Sequence, residues 1–286
     1  MSVSKVGVVG CGLMGSGIAE VCARAGIDTV VVEEDPAALE AGRRRVERSL
    51  GRGVSSGKLT EERRREVGAA IAYTVDYERL GDRELVVEAV HEDERLKFDV
   101  FRRIDGLLQS QDAVIASNTS SVPIMKIAMA TARPDRVIGL HFFNPVPVLR
   151  LVELVPSLLT SEETVRVVED FAIGQLGKRS ILCKDRAGFV VNALLIPYLL
   201  SAIRMLESGF ASAEDIDTGM IEGCAHPMGP LALADLIGLD TTSAVAQSLY
   251  EEFKEPLFAA PPLLNRMVEA GLLGRKSGRG FYTYAG

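Results

Sequence analysis

The residue pair best suited to proton-transfer chemistry is His141 and Glu153. His141 is one of only three histidines in 286 residues, and it lies between an apolar run and an Asn-Pro corner (HFFNP), with Glu153 beyond a second apolar run. An imidazole held by a carboxylate can accept and return a proton near neutral pH. A histidine after an apolar run is often a structural residue instead, so its place in the fold must decide its role.

A second chemical motif lies near the N-terminus, in residues 10–15 (GCGLMG). Gly10, Gly12 and Gly15 form a GxGxxG pattern between an apolar run and apolar residues at helical spacing. In such a turn the first glycine allows the bend, the second lets a pyrophosphate approach the backbone, and the third lets the helix pack on the strand. The turn is therefore predicted to bind a dinucleotide, and its other members are Cys11, Leu13 and Met14.

The acidic residue Glu33 ends the next apolar run (DTVVVE). A carboxylate at this position accepts hydrogen bonds from the adenosine ribose and repels a 2′-phosphate, so NAD is predicted as the cofactor rather than NADP. Glu34 and Asp35 add to the repulsion. Oxidising an alcohol with NAD needs a base for the hydroxyl proton, and His141 with Glu153 could supply it.

These residues need a sheet to position them. Unbroken apolar runs predict strands at 5–9, 28–33, 84–90, 113–117 and 136–141, with helical patterns between them. Alternating strands and helices indicate a doubly wound α/β sheet, Rossmann-like, in which ligands bind outside the carboxyl ends of the strands. Those ends carry Glu92, residues 118–121, His141 and Asn144, which the fold would bring together.

Two helical regions complete the predicted architecture. Charged residues at helical spacing over 36–70 predict a helical hairpin that is inserted into the first domain and broken near residues 51–60. After residue 184 strand patterns stop, and helical patterns follow at 187–208, 213–221, 230–237, 239–253 and 262–270. The sequence thus predicts an NAD-binding domain over 1–184 and an all-α substrate and dimerisation domain over 185–286. Long apolar patterns in the second domain predict a homodimer through it.

Composition argues against several classes of function. A net charge of −7 offers no overall positive field for nucleic acid or for an acidic membrane surface, and no apolar stretch has the length of a membrane span. The four cysteines form no CxxC pair, which predicts reduced thiols in a cytoplasmic protein. No His, Cys and carboxylate cluster has metal-ligand spacing, so no catalytic metal is predicted.

Seven further segments carry distinctive patterns, in the order 117–121 (SNTSS), 141–147 (HFFNPVP), 151–153 (LVE), 188–192 (GFVVN), 227–230 (PMGP), 238–240 (GLD) and 274–282 (GRKSGRGFY). Together they resemble the motifs of the (S)-3-hydroxyacyl-CoA dehydrogenases, and the resemblance runs from residue 5 to residue 284. It is strongest to the short bacterial 3-hydroxybutyryl-CoA dehydrogenases. The resemblance implies reversible, NAD-dependent oxidation of (S)-3-hydroxybutyryl-CoA, or of a similar short-chain substrate, to the 3-oxoacyl-CoA.

The resemblance also implies roles for individual residues. His141 looks like the general base, and Glu153 looks like the carboxylate that orients it. Ser120 and Asn192 match positions that hydrogen-bond the oxygens of the substrate. The positions that hold the ribose and nicotinamide end of the cofactor are matched by Glu92, Lys97, Ser120, Asn144 and Lys276.

Coenzyme A contacts and departures from the family pattern follow from the same comparison. Ser49 matches a coenzyme A contact in the helical hairpin, and Arg52 or Lys58 stands in place of a lysine-rich segment. The family pattern DxPGFIVNR is here DRAGFVVNA over 185–193. The residues that depart from the pattern are Ala187, Ala193, Leu200 and Ser201, and we expect them to alter a domain or subunit contact more than the chemistry.

The sequence is also compatible with two other functions. The same fold and the same His–Glu pair could serve a dehydrogenase of a free hydroxy acid or sugar acid. The chain could also be a non-catalytic NAD-binding protein, because a fold does not determine a function. The presence of Ser120, His141, Glu153 and Asn192 together argues against this second alternative.

Overall fold

One eight-stranded sheet collects the short apolar runs of the first part of the chain. The computed structural model describes residues 2–284, and they form two units that divide along the chain between Arg186 and Ala187. The strands are β1 Lys5–Val9, β2 Asp28–Val32, β3 Ile71–Thr74, β4 Leu85–Glu88, β5 Val114–Ser117, β6 Val137–Phe142, β7 Leu151–Pro156 and β8 Arg179–Leu182.

The sheet has the strand order β3-β2-β1-β4-β5-β6-β7-β8. Neighbouring strands run parallel except for β6 and β7, which pair antiparallel. The chain order reverses beside β1, where a doubly wound sheet opens a crevice at the carboxyl ends of its strands. The predicted doubly wound, Rossmann-like fold is therefore confirmed, and the five predicted strands are all present.

Six α-helices accompany the sheet among the described residues of the first unit. They are α1 Leu13–Arg24, α2 Pro36–Ser55, α3 Glu61–Ala69, α4 Glu94–Leu107, α5 Ile124–Ala128 and α6 Glu162–Asp170. The predicted helical hairpin is formed by α2 and α3. Asp35 caps α2 by accepting the backbone N–H of Ala37 at 2.8 Å, and Thr60 caps α3 by accepting that of Arg63 at 3.1 Å, because exposed N–H groups at a helix start need acceptors.

The core of this unit lies between the sheet and its helices. Every second side chain along a strand, such as Val6 and Val8 of β1 or Leu85 and Val87 of β4, is buried on one face of the sheet. Ile18 of α1 belongs to the same core. Successive strand side chains point to opposite faces of the sheet, so an unbroken apolar run is buried on both faces, while α1 buries one stripe at helical spacing. The carboxyl ends of β1, β4, β5 and β6 are thereby held in fixed positions.

The second unit is helical, as predicted. Its helices are α7 Val191–Glu207, α8 Ala213–Cys224, α9 Pro230–Ile237, α10 Leu239–Phe253 and α11 Pro262–Glu269. Its core includes Leu199, Ile203, Leu231, Ala246 and Leu264. Among residues 2–284, none of the helices combines the length and apolar character that crossing a membrane requires.

Candidate active site

The turn between β1 and α1 has the shape that a pyrophosphate needs. Gly10 has φ +94, and a Cβ on Gly15 would lie 1.9 Å from the carbonyl oxygen of Gly10, so both positions require glycine. A Cβ on Gly12 would meet nothing within 4 Å, which leaves the backbone open on that side. Helix α1 has neither a side-chain cap nor an acidic residue in its first turn, so its first N–H groups can bind an anion.

Glu33 lies beside this turn, directly after β2. The backbone N–H of Cys11 donates to Glu33 Oε2 at 2.9 Å, which ties the carboxylate to the glycine-rich turn. Burial raises the pKa of the Cys11 thiol to about 12, with a further contribution from Glu33. Cys11 is therefore a neutral thiol that packs below the turn, and the contact of Glu33 with a ribose remains a prediction.

His141 and Glu153 lie directly opposite each other on β6 and β7. Nδ1 of His141 is 2.7 Å from Oε2 of Glu153, and both side chains are buried. An ionised carboxylate can only accept, so this contact assigns the proton to Nδ1 and makes Nε2 the basic nitrogen. The structure brings the two residues together in the geometry that the proposed proton transfer requires.

The strand ends next to His141 are joined by Asn118. The backbone N–H of Phe142 donates to Asn118 Oδ1 at 2.9 Å, and the backbone N–H of Asn118 donates to the carbonyl oxygen of Glu88 at 2.8 Å. The ring of His141 also packs edge-on against Phe143, with 4.7 Å between the ring centres. These contacts restrict the position of the imidazole on the sheet.

Glu92 organises the segment after β5. Its Oε1 accepts the backbone N–H groups of Ser120 and Ser121, each at 2.9 Å, and the Ser121 hydroxyl at 2.8 Å. It also accepts the Thr119 hydroxyl. Burial opposes ionisation, yet Lys97 and the neighbouring hydroxyls outweigh it and lower the pKa of Glu92. Ser120 is thus held on a segment that an ionised carboxylate orders.

Lys97 is surrounded by carboxylates. Its ammonium group lies 2.7 Å from Glu88 and 3.1 Å from Glu92, and its side chain is only 1% exposed. The resemblance implies that this residue holds the ribose and nicotinamide end of the cofactor. The structure places its charge inside the protein, and direct contact with a cofactor stays a prediction. The sequence analysis did not identify Glu88. The pattern that could have indicated it is an acidic residue at the end of a buried strand, nine residues before a lysine.

A cavity of about 250 Å³ lies beside α1 and α2. It brings together Ser49 and Arg52, which were predicted to contact coenzyme A, and Asn144, which was predicted to contact the cofactor. Glu20, Arg45 and Arg48 also line it. The cavity is rich in arginine, as a site for phosphate groups would be. Lys58, the third predicted coenzyme A residue, lies after the end of α2 and is exposed.

In the helical unit, Asn192 is the second residue of α7 and is half-buried. The turn before it is left-handed at two positions, Gly188 with φ +74 and Phe189 with φ +46. The backbone N–H of Ala187 donates to Glu252 at 2.9 Å. A proline, which the family pattern has at this position, could not make that bond.

The other predicted residues of this unit also have defined contacts. Nζ of Lys276 lies 2.5 Å from Oδ1 of Asp240. Burial opposes ionisation of Asp240, but the contact with Lys276 helps to hold the pKa of Asp240 below its usual value. Leu200 is buried in the helical core, while Ser201 is exposed and its hydroxyl donates to the carbonyl oxygen of Pro197 at 2.8 Å. Helix α7 runs unbroken through Leu200 and Ser201, where this chain departs from the family pattern.

The remaining histidines lie elsewhere. His91 is exposed, and the ring of His226 is 3.1 Å from the Tyr198 hydroxyl. Within residues 2–284, no group of three or more His, Cys, Asp or Glu side chains is placed to hold a metal ion. His141 is therefore the histidine with the clearest arrangement for proton transfer.

Comparison with known proteins extends these observations. Residues 5–186 match the family described as 3-hydroxyacyl-CoA dehydrogenase, NAD binding domain, and residues 188–284 match its C-terminal domain. A 3-hydroxybutyryl-CoA dehydrogenase of Mycobacterium tuberculosis is 58% identical over 283 residues, with 99% of each chain covered. A probable 3-hydroxybutyryl-CoA dehydrogenase of Deinococcus radiodurans is 45% identical over 280 residues, with 98% of this chain and 100% of the relative covered.

Solved structures agree with this comparison. The crystal structure of M. tuberculosis FadB2 matches with a TM-score of 0.99 at 58% identity and covers 100% of both chains. That of the (S)-3-hydroxybutyryl-CoA dehydrogenase PaaH1 from Ralstonia eutropha matches with a TM-score of 0.93 at 47% identity, again over 100% of both chains. The similarity therefore extends over the whole chain in sequence and in fold.

Proposed function

The chain belongs to the 3-hydroxyacyl-CoA dehydrogenase family, and from this membership we propose that it oxidises (S)-3-hydroxybutyryl-CoA, or a similarly short 3-hydroxyacyl-CoA, reversibly to the 3-oxoacyl-CoA. As a member of this family it is an NAD-dependent oxidoreductase. The observation that carries the proposal is the buried contact of 2.7 Å between His141 and Glu153 at the carboxyl end of β6.

His141 acts as the general base in this proposal. Its Nε2 takes the proton of the substrate hydroxyl, while Glu153 holds Nδ1–H and stabilises the imidazolium that forms. The chemistry that bound NAD supplies is acceptance of the hydride from the carbinol carbon. In the reverse direction the imidazolium returns its proton to the oxygen. Burial of the pair keeps water from competing with the substrate and strengthens the charge stabilisation.

Ser120 and Asn192 orient the substrate. A serine hydroxyl and an amide NH₂ can both donate to the oxygens of a 3-hydroxyacyl or 3-oxoacyl group. Ser120 is suited to this role because Glu92 orders its backbone, and Asn192 is suited because it lies in the first turn of α7.

Two further groups of residues bind the cofactor and coenzyme A. The glycine-rich turn 10–15 holds the pyrophosphate, and Glu33 holds the adenosine ribose. The ribose and nicotinamide end is assigned to Glu92, Lys97, Ser120, Asn144 and Lys276. Ser49, Arg52 and Lys58 are assigned to coenzyme A, and the arginine-lined cavity at Ser49 and Arg52 supports the assignment of these two.

The proposal includes a homodimer formed through the helical domain, residues 185–286, in a cytoplasmic protein. Several large apolar side chains of this region are exposed, among them Phe210 at 79% and Leu194 at 73%. Contiguous exposed apolar surface marks a protein–protein contact, and the proposal places these side chains in one such contact. Val190, Met205, Leu236 and Leu257 are further exposed examples.

An initial-rate assay with two substrates tests the function. Oxidation of NADH is followed by its absorbance with acetoacetyl-CoA and, separately, with acetoacetate that carries no coenzyme A. We expect kcat/KM to be higher with acetoacetyl-CoA by several orders of magnitude, because the hairpin residues gain contacts only with coenzyme A. Equal or higher kcat/KM with acetoacetate would favour a dehydrogenase of free hydroxy acids, and no turnover with either would favour a non-catalytic protein.

A further inference from the structure

A buried carboxylate at the end of β4 has no role in the mechanism above. Glu88 is fully buried, and its carboxylate accepts three hydrogen bonds. The backbone N–H of Val90 and the Lys97 ammonium group donate to Oε1, each at 2.7 Å. The Ser117 hydroxyl donates to Oε2 at 2.6 Å. A buried charge is costly unless it is paired and hydrogen-bonded, and here all of the donors are supplied.

Lys97 connects this carboxylate to a second one. Its ammonium group contacts Glu88 at 2.7 Å and Glu92 at 3.1 Å. The position of Lys97 is therefore determined from both sides, and the position of Glu92 depends on it. Because Lys97 is almost fully buried, its charge interacts strongly with both carboxylates.

Both oxygens of Glu88 lead to the segment that presents Ser120. One path runs through Lys97 to Glu92, whose Oε1 accepts the backbone N–H groups of Ser120 and Ser121 at 2.9 Å. The other runs through the Ser117 hydroxyl, which accepts the backbone N–H of Thr119 at 3.2 Å. The two paths converge on three consecutive residues.

We infer that Glu88 is a positioning residue for Ser120. It holds Lys97, and through it Glu92, so that the segment 119–121 keeps one conformation; the inference rests on the proposed function for the role of Ser120. A fold-stabilising role alone would be met as well by apolar side chains, because a buried ion pair is often no more stable than a hydrophobic replacement. Hydrogen bonds are directional, whereas apolar contacts are not. Each hydrogen bond of the charged cluster therefore restricts the position of the group that it binds.

The variant Glu88→Gln tests this inference, because it keeps the shape and removes the charge. Amide hydrogen exchange is measured on the protein without substrate or cofactor. We expect exchange at Ser120 and Ser121 to become about tenfold faster, the effect of losing about 1.4 kcal/mol of hydrogen bonding to charged groups. kcat/KM for acetoacetyl-CoA should fall by a similar factor. The matched control is Glu84→Gln, at the residue just before the same strand.

Glu84 is exposed and accepts the backbone N–H of Lys5 at 3.1 Å, far along β4 from Ser120, so its variant should leave exchange at Ser120 unchanged. Unchanged exchange at Ser120 and Ser121 in Glu88→Gln would overturn the inference. So would faster exchange spread equally over β1 and β6, because that pattern means a general loss of stability.

A second variant covers the case in which Glu88→Gln does not fold. Ser117→Ala removes no charge, but it removes both the bond to Glu88 and the bond from the Thr119 N–H. Exchange at residues 119–121 alone should become about three- to tenfold faster, the effect of losing one neutral hydrogen bond and one to a charged group. No local change would again overturn the inference. Faster local exchange with unchanged kcat/KM would uphold the positioning by Glu88 and overturn the role of Ser120 in the proposed function, so the two failures are distinguishable.

Discussion

Replacing Glu153 by glutamine tests the link between geometry and proton transfer most directly. The carboxylate is 0% exposed and lies 2.7 Å from Nδ1 of His141. Glu153→Gln keeps the size of the side chain, and its amide oxygen can still accept the Nδ1–H. What the substitution removes is the negative charge that stabilises the imidazolium after proton transfer. The variant should therefore fold and bind NADH, yet turn over slowly.

The size of the effect follows from the contact. Two opposite unit charges about 4 Å apart interact by about 4 kcal/mol at an effective dielectric constant of about 20. The amide dipole retains part of this interaction, so about 2–4 kcal/mol of transition-state stabilisation should be lost. At about 1.4 kcal/mol for each factor of ten, kcat should fall about 30- to 1000-fold. His141→Gln should lower kcat by about 10²–10⁴.

Three measurements decide the outcome. Initial rates give kcat, thermal unfolding reports the fold, and NADH emission reports binding in a chain that contains no tryptophan. Glu169→Gln is a matched control, because Glu169 accepts the Ser180 hydroxyl at 3.1 Å elsewhere in the same unit. The double variant that combines His141→Gln and Glu153→Gln should have a kcat only slightly lower than that of His141→Gln alone, because the two residues act as one unit. A kcat within threefold of wild type for folded, NADH-binding Glu153→Gln would refute the reasoning.

Three further predictions concern other parts of the molecule. Because Glu33 lies beside the pyrophosphate turn, kcat/KM with NADH should exceed kcat/KM with NADPH, and Glu33→Gln should lower the ratio of the two values. A wild-type preference for NADPH would contradict the role of Glu33 at the adenosine ribose. Burial opposes ionisation of Glu92, but Lys97 and the hydroxyls of Thr119 and Ser121 together outweigh burial and lower the pKa of Glu92. The stabilisation from Glu92 is then present above the ordinary glutamate pKa and lost as pH falls through the lowered pKa. The difference in Tm between wild type and Glu92→Gln should therefore shrink on acidification. A difference that stays constant with pH would contradict this role of the Glu92 charge. Sedimentation at micromolar concentration should give a dimer that Leu194→Glu weakens, and a wild-type monomer would reject the helical interface.

Much of the fold is readable from local patterns. The apolar runs at β1, β2, β4, β5 and β6 are continuous because both faces of these strands are covered. Of the three strands that were not predicted, β7 is also a buried, mostly apolar run, whereas β3 and β8 differ in this respect. β3 and β8 lie at the two edges of the sheet and are only partly buried, so their sequences (IAYT and RSIL) mix polar and apolar residues. Edge strands take their place from the neighbour they pair with, which a local pattern does not reveal.

The sequence by itself determined the glycine-rich turn, the acid after β2 and the histidine after an apolar run, because backbone conformation and strand-end position are local properties. Tertiary structure decided the distances and geometry at which charged groups meet. His141 faces Glu153 only because β6 and β7 pair antiparallel in one register, and a shift of one residue would turn Glu153 to the other face. By resemblance Lys97 is a candidate contact of the ribose and nicotinamide end of the cofactor, and in the fold it is a buried partner of Glu88. The physical reason is that a side-chain ion pair depends on distances between separate strands and helices, which are set when the whole core packs.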